Sequence, residues 1–137
     1  MTLTNQCADS NFKVAVWLWD KSYKMVSMAN VKLDNVQSGE HESIPTSVSF
    51  NPDDPRSLVI TGKHVYRYLK MNNNFQLQPF HERLIKKESS ISTHFTCHAF
   101  IERRLIICTA EGDILLAENS GEFKMALTSS PGAKFRI

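Results

Sequence analysis

One stretch of this chain, residues 43–69 (SIPTSVSFNPDDPRSLVITGKHVYRYL), constrains its fold most strongly. It contains three short apolar runs that are separated by two segments rich in Asn, Pro, Asp and Gly. Short β-branched and aromatic runs with such boundaries are typical of strands joined by turns. The stretch therefore predicts an antiparallel β-meander. Its runs are Ser47–Phe50, Ser57–Thr61 and His64–Leu69, and its turns are Asn51–Pro55 and Gly62-Lys63.

The same pattern of short runs recurs on both sides of this stretch. The equivalent positions Val16, Val65 and Ile114 are separated by two intervals of 49 residues. Units of about four short strands with a period in the forties predict propeller blades. The additional runs are Lys13–Asp20, Tyr23–Met28, Phe75–Gln78, Phe95–Phe100, Arg103–Thr109, Ile114–Glu118 and Phe123–Leu127.

We predict an all-β fold, a partial β-propeller of about two and a half four-stranded antiparallel blades that does not close on its own. The blade units are 13–42, 43–93 and 94–127, with flexible segments at 1–12 and 128–137. Propellers use about four to eight blades, so we expect an apolar face and strand edges to be uncovered. We expect this open arrangement because the chain is a piece or short isoform of a longer protein, or because a partner completes the ring. A sandwich of irregular strands is the alternative fold.

Composition excludes several functional classes. The 137 residues fit one domain, with 42% apolar and 22% charged residues and a net charge of +2. The basic residues are scattered, with Lys86-Lys87 and Arg103-Arg104 as the only adjacent pairs. Nucleic-acid binding requires a dense basic face, so we expect no nucleic-acid partner.

The cysteines and the apolar runs predict a cytoplasmic location. Cys7, Cys97 and Cys108 are odd in number and lack the spacing of a disulfide framework, which favours a reducing compartment. The amino-terminal residues lack the order of a signal peptide. The longest apolar run, Val14 to Trp19, is too short to span a bilayer, so we expect no membrane partner.

The sequence shows no site for chemistry. His94, Cys97 and His98 are the only cluster of metal-ligand residue types. On a strand the two histidines share one face and Cys97 points to the other, whereas a tetrahedral zinc site needs four ligands. Cys108 lies in an apolar run, where a buried thiol is inert. We therefore predict no enzymatic activity, no metal, no cofactor and no small-molecule substrate.

The aromatic residues of the strands are predicted to be core. Lys13–Asp20 is apolar on both faces, which predicts a sheet covered on both sides. Trp17, Trp19, Tyr66 and Tyr68 occupy strand positions, so we expect them to pack between blades rather than to stack on bases.

Two segments resemble WD-repeat proteins. Trp17–Asp20 ends in the Trp-Asp pair that closes the third strand of a blade in that family, and Val48–Pro52 resembles the first strand of the next blade. Tyr68-Leu69 and Ala117-Glu118 stand where the later Trp-Asp pairs would be. The hydrogen-bonded Asp/His tetrad of ideal repeats is therefore not expected in these blades.

A narrower resemblance is to the large cilia- and flagella-associated WD-repeat proteins of the axoneme. It rests on Val48–Pro52, on Val59–Gly62 and on the turn Ala110–Leu115, and the overall similarity covers 13–127. The resemblance implies a non-catalytic scaffold for cilium or flagellum assembly and motility, with axonemal or dynein-associated protein partners. The alternative is a generic cytosolic WD-repeat adaptor in trafficking or ubiquitin transfer.

The candidate protein-contact surface is the longest irregular segment, Pro79–Ser92. Loops held by a rigid scaffold commonly carry binding residues. The candidate contact residues are Phe80, Arg83, Lys86 and Lys87.

Overall fold

The computed structural model describes residues 2–5, 11–17, 24–32, 43–81, 84 and 92–127. These residues form strands and the turns between them, and none of them is helical. Accordingly, this part of the chain has no helix with the length and apolarity needed to cross a membrane. The strands are β1 (Thr2–Asn5), β2 (Asn11–Trp17), β3 (Met25–Lys32), β4 (Ile44–Asn51), β5 (Asp54–Lys63), β6 (Val65–Met71), β7 (Leu77–His81), β8 (Phe95–Ile101), β9 (Arg104–Thr109), β10 (Ile114–Glu118) and β11 (Phe123–Leu127).

The strands form three antiparallel sheets, each of which is a meander of neighbours in sequence. The first sheet has the order β1-β2-β3, the middle sheet β4-β5-β6-β7, and the last sheet β8-β9-β10-β11. The described strands do not close into a ring. The fold is therefore an all-β, open, partial propeller-like architecture, as the sequence predicts.

The repeat predicted from spacing holds for the second and third units. Val65 and Ile114 are the first residues of β6 and β10, which occupy the same position in their sheets. Val16 instead lies one residue before the end of β2. The 49-residue interval therefore marks equivalent strands and positions in the last two units only.

The turn predicted at Gly62-Lys63 is part of β5. The chain turns one residue later, at His64, where φ is +58°. Gly62 pairs across the sheet with Pro45 of β4. A Cβ at Gly62 would collide with the Ile44 carbonyl oxygen and approach the Pro45 Cα to 2.7 Å. This glycine is therefore explained by the close approach of a neighbouring strand rather than by a turn.

Other boundaries also differ from the predicted ones: β4 begins at Ile44, and β5 begins at Asp54, inside the turn predicted at Asn51–Pro55. The strand predicted at Phe75–Gln78 begins at Leu77 and continues to His81, so Pro79 lies in β7 and not in an irregular segment. Phe75 belongs to the preceding turn and has a φ of +59°. At the other end of the chain, β1 lies within the first twelve residues, a segment that shows no strand pattern.

The middle sheet is the centre of the molecule because both of its faces are covered. Leu58, Val59 and Ile60 are consecutive in β5 and fully buried, although consecutive side chains of a strand point to opposite faces. The face towards the first sheet packs Leu58, Ile60, Val65 and Leu69 against Phe12, Val14 and Val16. The face towards the last sheet packs Val59, Tyr66 and Tyr68 against Phe95, Leu105, Ile107, Leu115 and Ala117.

The prediction that the first sheet is covered on both sides is wrong. Val14 and Val16 pack on the middle sheet, but Trp17 on the opposite face is 47% exposed. Trp17 is paired with Met25, and Ala15 with Met28, and both methionines are exposed. Tyr66 and Tyr68, by contrast, are buried between sheets, as predicted, whereas Trp19 lies outside the described residues.

The two buried tyrosines fix the last sheet to the middle sheet through the turn between β10 and β11. The Tyr66 hydroxyl donates to the Gly121 carbonyl oxygen at 2.8 Å. The Tyr68 hydroxyl donates to the Asn119 carbonyl oxygen, also at 2.8 Å. The Asn51 side-chain amide donates to that same oxygen and to the Tyr68 hydroxyl, both at 2.9 Å. These contacts satisfy polar groups that the packing removes from water.

His98 makes a second polar connection between these sheets. Its Nε2 lies 2.5 Å from the Ser49 Oγ of β4, and its Nδ1 lies 2.7 Å from the Thr61 Oγ1 of β5. Both ring nitrogens of this imidazole therefore have hydroxyl partners. Burial lowers the pKa of His98 from its ordinary value of 6.5, because the charged form loses solvation.

Candidate interaction surface

The side of the last sheet that points away from the middle sheet is apolar, and we call it the open face. Directly opposed residues of an antiparallel sheet share a face, so the register places its side chains in rows across the four strands. The first row is Cys97, Cys108, Ile114 and Leu127, and the second is Ala99, Ile106, Leu116 and Met125. A third, shorter row contains Ile101, Arg104 and Glu118.

The two faces of this sheet are both apolar but differ in burial. On the inner face Leu105, Ile107 and Leu115 are fully buried against the middle sheet. On the open face Met125 is 50% exposed, and Leu127 is also exposed. A contiguous exposed apolar patch of this kind is characteristic of an interaction site. The open face is therefore the candidate functional site of the described residues.

Charged groups lie along one side of the open face. Arg104 is paired with Glu118 in the register, and the Glu118 carboxylate lies 3.5 Å from the Lys124 ammonium group. Both partners of this ion pair are about half exposed, so its contribution to stability is small. An apolar centre with a charged rim is the usual anatomy of a protein–protein interface.

Three tight turns fix the register that creates these rows. Between β8 and β9, Glu102 and Arg103 have φ values of +47° and +63°, as the two central residues of a type I′ hairpin turn do. Between β9 and β10, the Gly112 amide donates to the Thr109 carbonyl oxygen at 3.1 Å. Between β10 and β11, the Gly121 amide donates to the Glu118 carbonyl oxygen at 2.9 Å.

A bulge at Thr96 turns the Phe95 side chain away from the open face. The register shifts between Phe95 and Cys97, so Phe95 is buried against the middle sheet whereas Cys97 is exposed on the open face. The Thr96 hydroxyl donates to the Cys108 carbonyl oxygen at 3.2 Å. His98 then points inward, towards Ser49.

The predicted contact surface at Pro79–Ser92 is only partly described. Phe80 lies at a register shift of β7 and is half-exposed. The Lys70 ammonium group lies 4.0 Å from the centre of its ring. Arg83, Lys86 and Lys87 lie outside the described residues.

The residues that the sequence placed in a possible metal cluster are separated by the fold. Cys97 is on the open face, whereas His98 faces the middle sheet. His94 pairs with Lys63 in an isolated bridge. Among the described residues no group of three or more His, Cys, Asp or Glu side chains is placed to hold a metal ion.

Cys108 is not in the environment expected from its apolar run. It is half-buried on the open face rather than in the core, and it lies directly opposite Cys97. Burial raises the pKa of the Cys108 thiol, and a hydrogen bond with the Cys97 thiol raises it further. The hairpin turn at Glu102-Arg103 is the signal that predicts this pairing, because counting outward from a two-residue turn places Cys97 opposite Cys108.

No protein-family model matches the chain. No curated protein matches it either.

Proposed function

We propose that this chain is a non-catalytic protein-interaction scaffold whose open face binds a β-sheet of a partner protein. The single observation that carries this proposal is the open face itself. It presents two apolar rows across four strands, and Met125 and Leu127 within them are exposed. Covering an apolar sheet face with another layer stabilises the assembly by about 25 cal/mol per Å² of buried apolar surface.

Continuity with the two packed interfaces indicates a sheet as the partner element. The middle sheet covers an apolar face of the first sheet and an apolar face of the last sheet. In each case the contact is made by aliphatic and aromatic rows from neighbouring strands. The open face has the same construction, and stacked sheets pack about 10 Å apart. A further sheet therefore fits this face in the same way as the sheets already present.

The resemblance to axonemal WD-repeat proteins supplies the proposed setting. Under it, the partner is a structural component of the cilium or flagellum, and the scaffold serves assembly or motility. Phe80 of β7 remains a proposed secondary contact, since it is half-exposed at an edge strand of the middle sheet.

Subcellular fractionation tests this setting. Detergent-extracted axonemes and the matching cell bodies would be probed with an antibody raised to 79–92. Enrichment of the reactive band in axonemes is the expected result. A band confined to the soluble cell-body fraction would contradict the ciliary setting and would support a cytosolic adaptor.

Substitution tests the secondary contact separately. Phe80→Ala, combined with Ala at Arg83, Lys86 and Lys87, would be compared with the unchanged chain for recovery of the partner identified through the open face. Reduced recovery is expected. Unchanged recovery would remove this segment from the proposed contact surface.

A further inference from the structure

Two cysteines face each other on neighbouring strands of the open face. Cys97 of β8 and Cys108 of β9 are directly opposed in the register. Opposed residues of an antiparallel pair have Cα atoms about 4.5–5.5 Å apart, which lies inside the range of about 4.4–6.8 Å that a disulfide spans. Both thiols are free. The register therefore places the two Cα atoms within the range of a cross-strand disulfide.

Access and orientation also suit a reaction at this pair. Cys97 is exposed, and Cys108 is partly exposed beside it. Cys97 lies close enough to raise the pKa of the Cys108 thiol. Their neighbours in the row, Ile114 and Leu127, are apolar and provide no competing nucleophile.

We propose that Cys97 and Cys108 form a redox-active dithiol that closes reversibly to a cross-strand disulfide on the open face. The oxidant is a small disulfide of the glutathione class. This inference does not depend on the identity of any partner protein, and it assigns a modification site to the face that the proposed function uses for binding.

The reaction proceeds by two thiol–disulfide exchanges. The Cys97 thiol loses its proton and attacks the small disulfide, so a mixed disulfide forms and one small thiolate leaves. The Cys108 thiol then loses its proton and attacks the Cys97 Sγ, which breaks the mixed disulfide and releases the second small thiolate. The two released protons convert both thiolates to thiols. In sum, two protein thiols are oxidised and one small disulfide is reduced to two thiols.

The order of attack follows from exposure. Cys97 is the more accessible thiol and therefore meets the oxidant first. Burial and the contact with Cys97 raise the pKa of Cys108, so its thiolate is scarce near neutral pH. The second exchange is therefore expected to accelerate as the pH rises, because the attacking species is the thiolate.

The test uses the full chain with Cys7→Ser, since Cys7 lies outside the described residues. This protein, folded by circular dichroism, is incubated with oxidised glutathione and followed by intact mass spectrometry. The expected product has lost the mass of two hydrogen atoms and carries no glutathionyl adduct. Proteolysis should yield one species in which the Cys97 and Cys108 peptides are linked. Reduction with dithiothreitol should restore the original mass.

Matched variants distinguish the effect of the directly opposed positions of the two cysteines from the general reactivity of two nearby thiols. With Cys108→Ser, the mixed disulfide at Cys97 has no resolving thiol, so one glutathionyl adduct should persist. The variant Cys108→Ser/Ile106→Cys keeps two thiols on the open face but places them diagonally, about 7–8 Å apart. Its disulfide should form at least about tenfold more slowly, because that distance exceeds the reach of a disulfide.

The outcomes either support or overturn the inference. Rapid loss of two hydrogen atoms only in the chain with Cys97 opposite Cys108 supports it. Persistent adducts on both cysteines of that chain would overturn it. Closure no faster than in the diagonal variant would also overturn it, since the pairing would then carry no advantage.

Discussion

Tyr68 donates a hydrogen bond from its hydroxyl to the main-chain oxygen of Asn119, which lies 51 residues further along the chain, in a turn between two strands of a different sheet. The Asn51 side-chain amide donates to both of these groups. The Asn51 side-chain oxygen accepts from the Asp53 amide at 2.9 Å. One asparagine thus joins the turn after β4, the centre of β6 and the turn after β10.

The first prediction concerns the donor role of Asn51. Asn51→Asp removes both donated hydrogen bonds and places a carboxylate against the Asn119 oxygen, so we expect a loss of roughly 1–3 kcal/mol in the free energy of unfolding. Urea denaturation measures this loss. Asn72→Asp is the matched control. The Asn72 oxygen accepts from the Asn74 and Gln76 amides, a role that a carboxylate retains, and the bond that Asn72 donates to the Gln76 side chain is exposed to water. Equal losses in the two variants would contradict the assigned role.

The second prediction uses two glycines with the same backbone but different surroundings. Gly112 and Gly121 have φ values of +91° and +89°, so alanine is strained at either position. A Cβ at Gly112 meets nothing within 4 Å, whereas one at Gly121 comes within 2.6 Å of the Tyr68 ring. Gly121→Ala should therefore cost about 1–3 kcal/mol more than Gly112→Ala. Equal thermal unfolding temperatures for the two variants would show that the turn does not pack on Tyr68.

The third prediction concerns the hairpin turn between β8 and β9. Glu102 and Arg103 adopt left-handed conformations, which cost roughly 1–2 kcal/mol for an ordinary residue. Replacement by Asn-Gly (Glu102→Asn/Arg103→Gly) matches the preference of a type I′ turn, so the midpoint of denaturation should rise. Glu102→Ala/Arg103→Ala retains the strain and is the control. A lower midpoint for the Asn-Gly variant would contradict the assigned turn.

The fourth prediction is a pH dependence that originates at His98. Its folded-state pKa lies below 6.5 because burial disfavours the charged form, so the unfolded chain binds a proton more readily. Stability contributed by neutral His98 is therefore fully present above pH 6.5 and is lost as the pH falls from there through the folded-state pKa. Denaturation at several pH values measures the slope.

The matched variants for this slope are His98→Gln and His81→Gln. The first removes the titrating group between Ser49 and Thr61, so its stability should vary less between pH 7 and the acidic range. His81 lies on β7 at the edge of the middle sheet. His81→Gln should therefore leave the contribution of His98 to the pH dependence of stability unchanged. Identical slopes in wild type and His98→Gln would refute this assignment.

Much of the fold was predictable from the sequence because the strands are local. The strand bounds of β10 and β11 agree with the predicted runs, since a Gly-containing turn separates the two runs. The burial of Tyr66 and Tyr68 also followed from their strand positions. What failed were inferences that depend on the neighbouring strand or sheet. The predicted turn at Gly62, for example, overlooked the approach of β4.

The candidate site was less predictable than the fold. The sequence predicted an uncovered apolar face, but the inward orientation of Phe95 depends on the bulge at Thr96, which no residue pattern marks. The environment of Cys108 was misjudged, because an apolar run does not state which face is covered. The exposure of Trp17 was missed for the same reason.

The measurement that tests the central claim most directly is site-specific photo-crosslinking from the open face in ciliated cells. A photoreactive amino acid at Met125, which is 50% exposed, would be compared with one at Phe75, which is 52% exposed on the β6–β7 turn. Cross-linked peptides would be sequenced by mass spectrometry. We expect a discrete partner at Met125 only, with its cross-linked peptides in β-strands of an axonemal protein. The cross-linked product with this partner should be lost in the variant Leu116→Lys, because the substitution places a charge in the apolar row.

Three other outcomes would contradict the account. The same products from Phe75 would show that the open face has no special role. Cross-linking to a second copy of this chain would replace the proposed partner by self-association. The absence of any product from Met125, with the protein folded and expressed, would remove the open face as a binding surface.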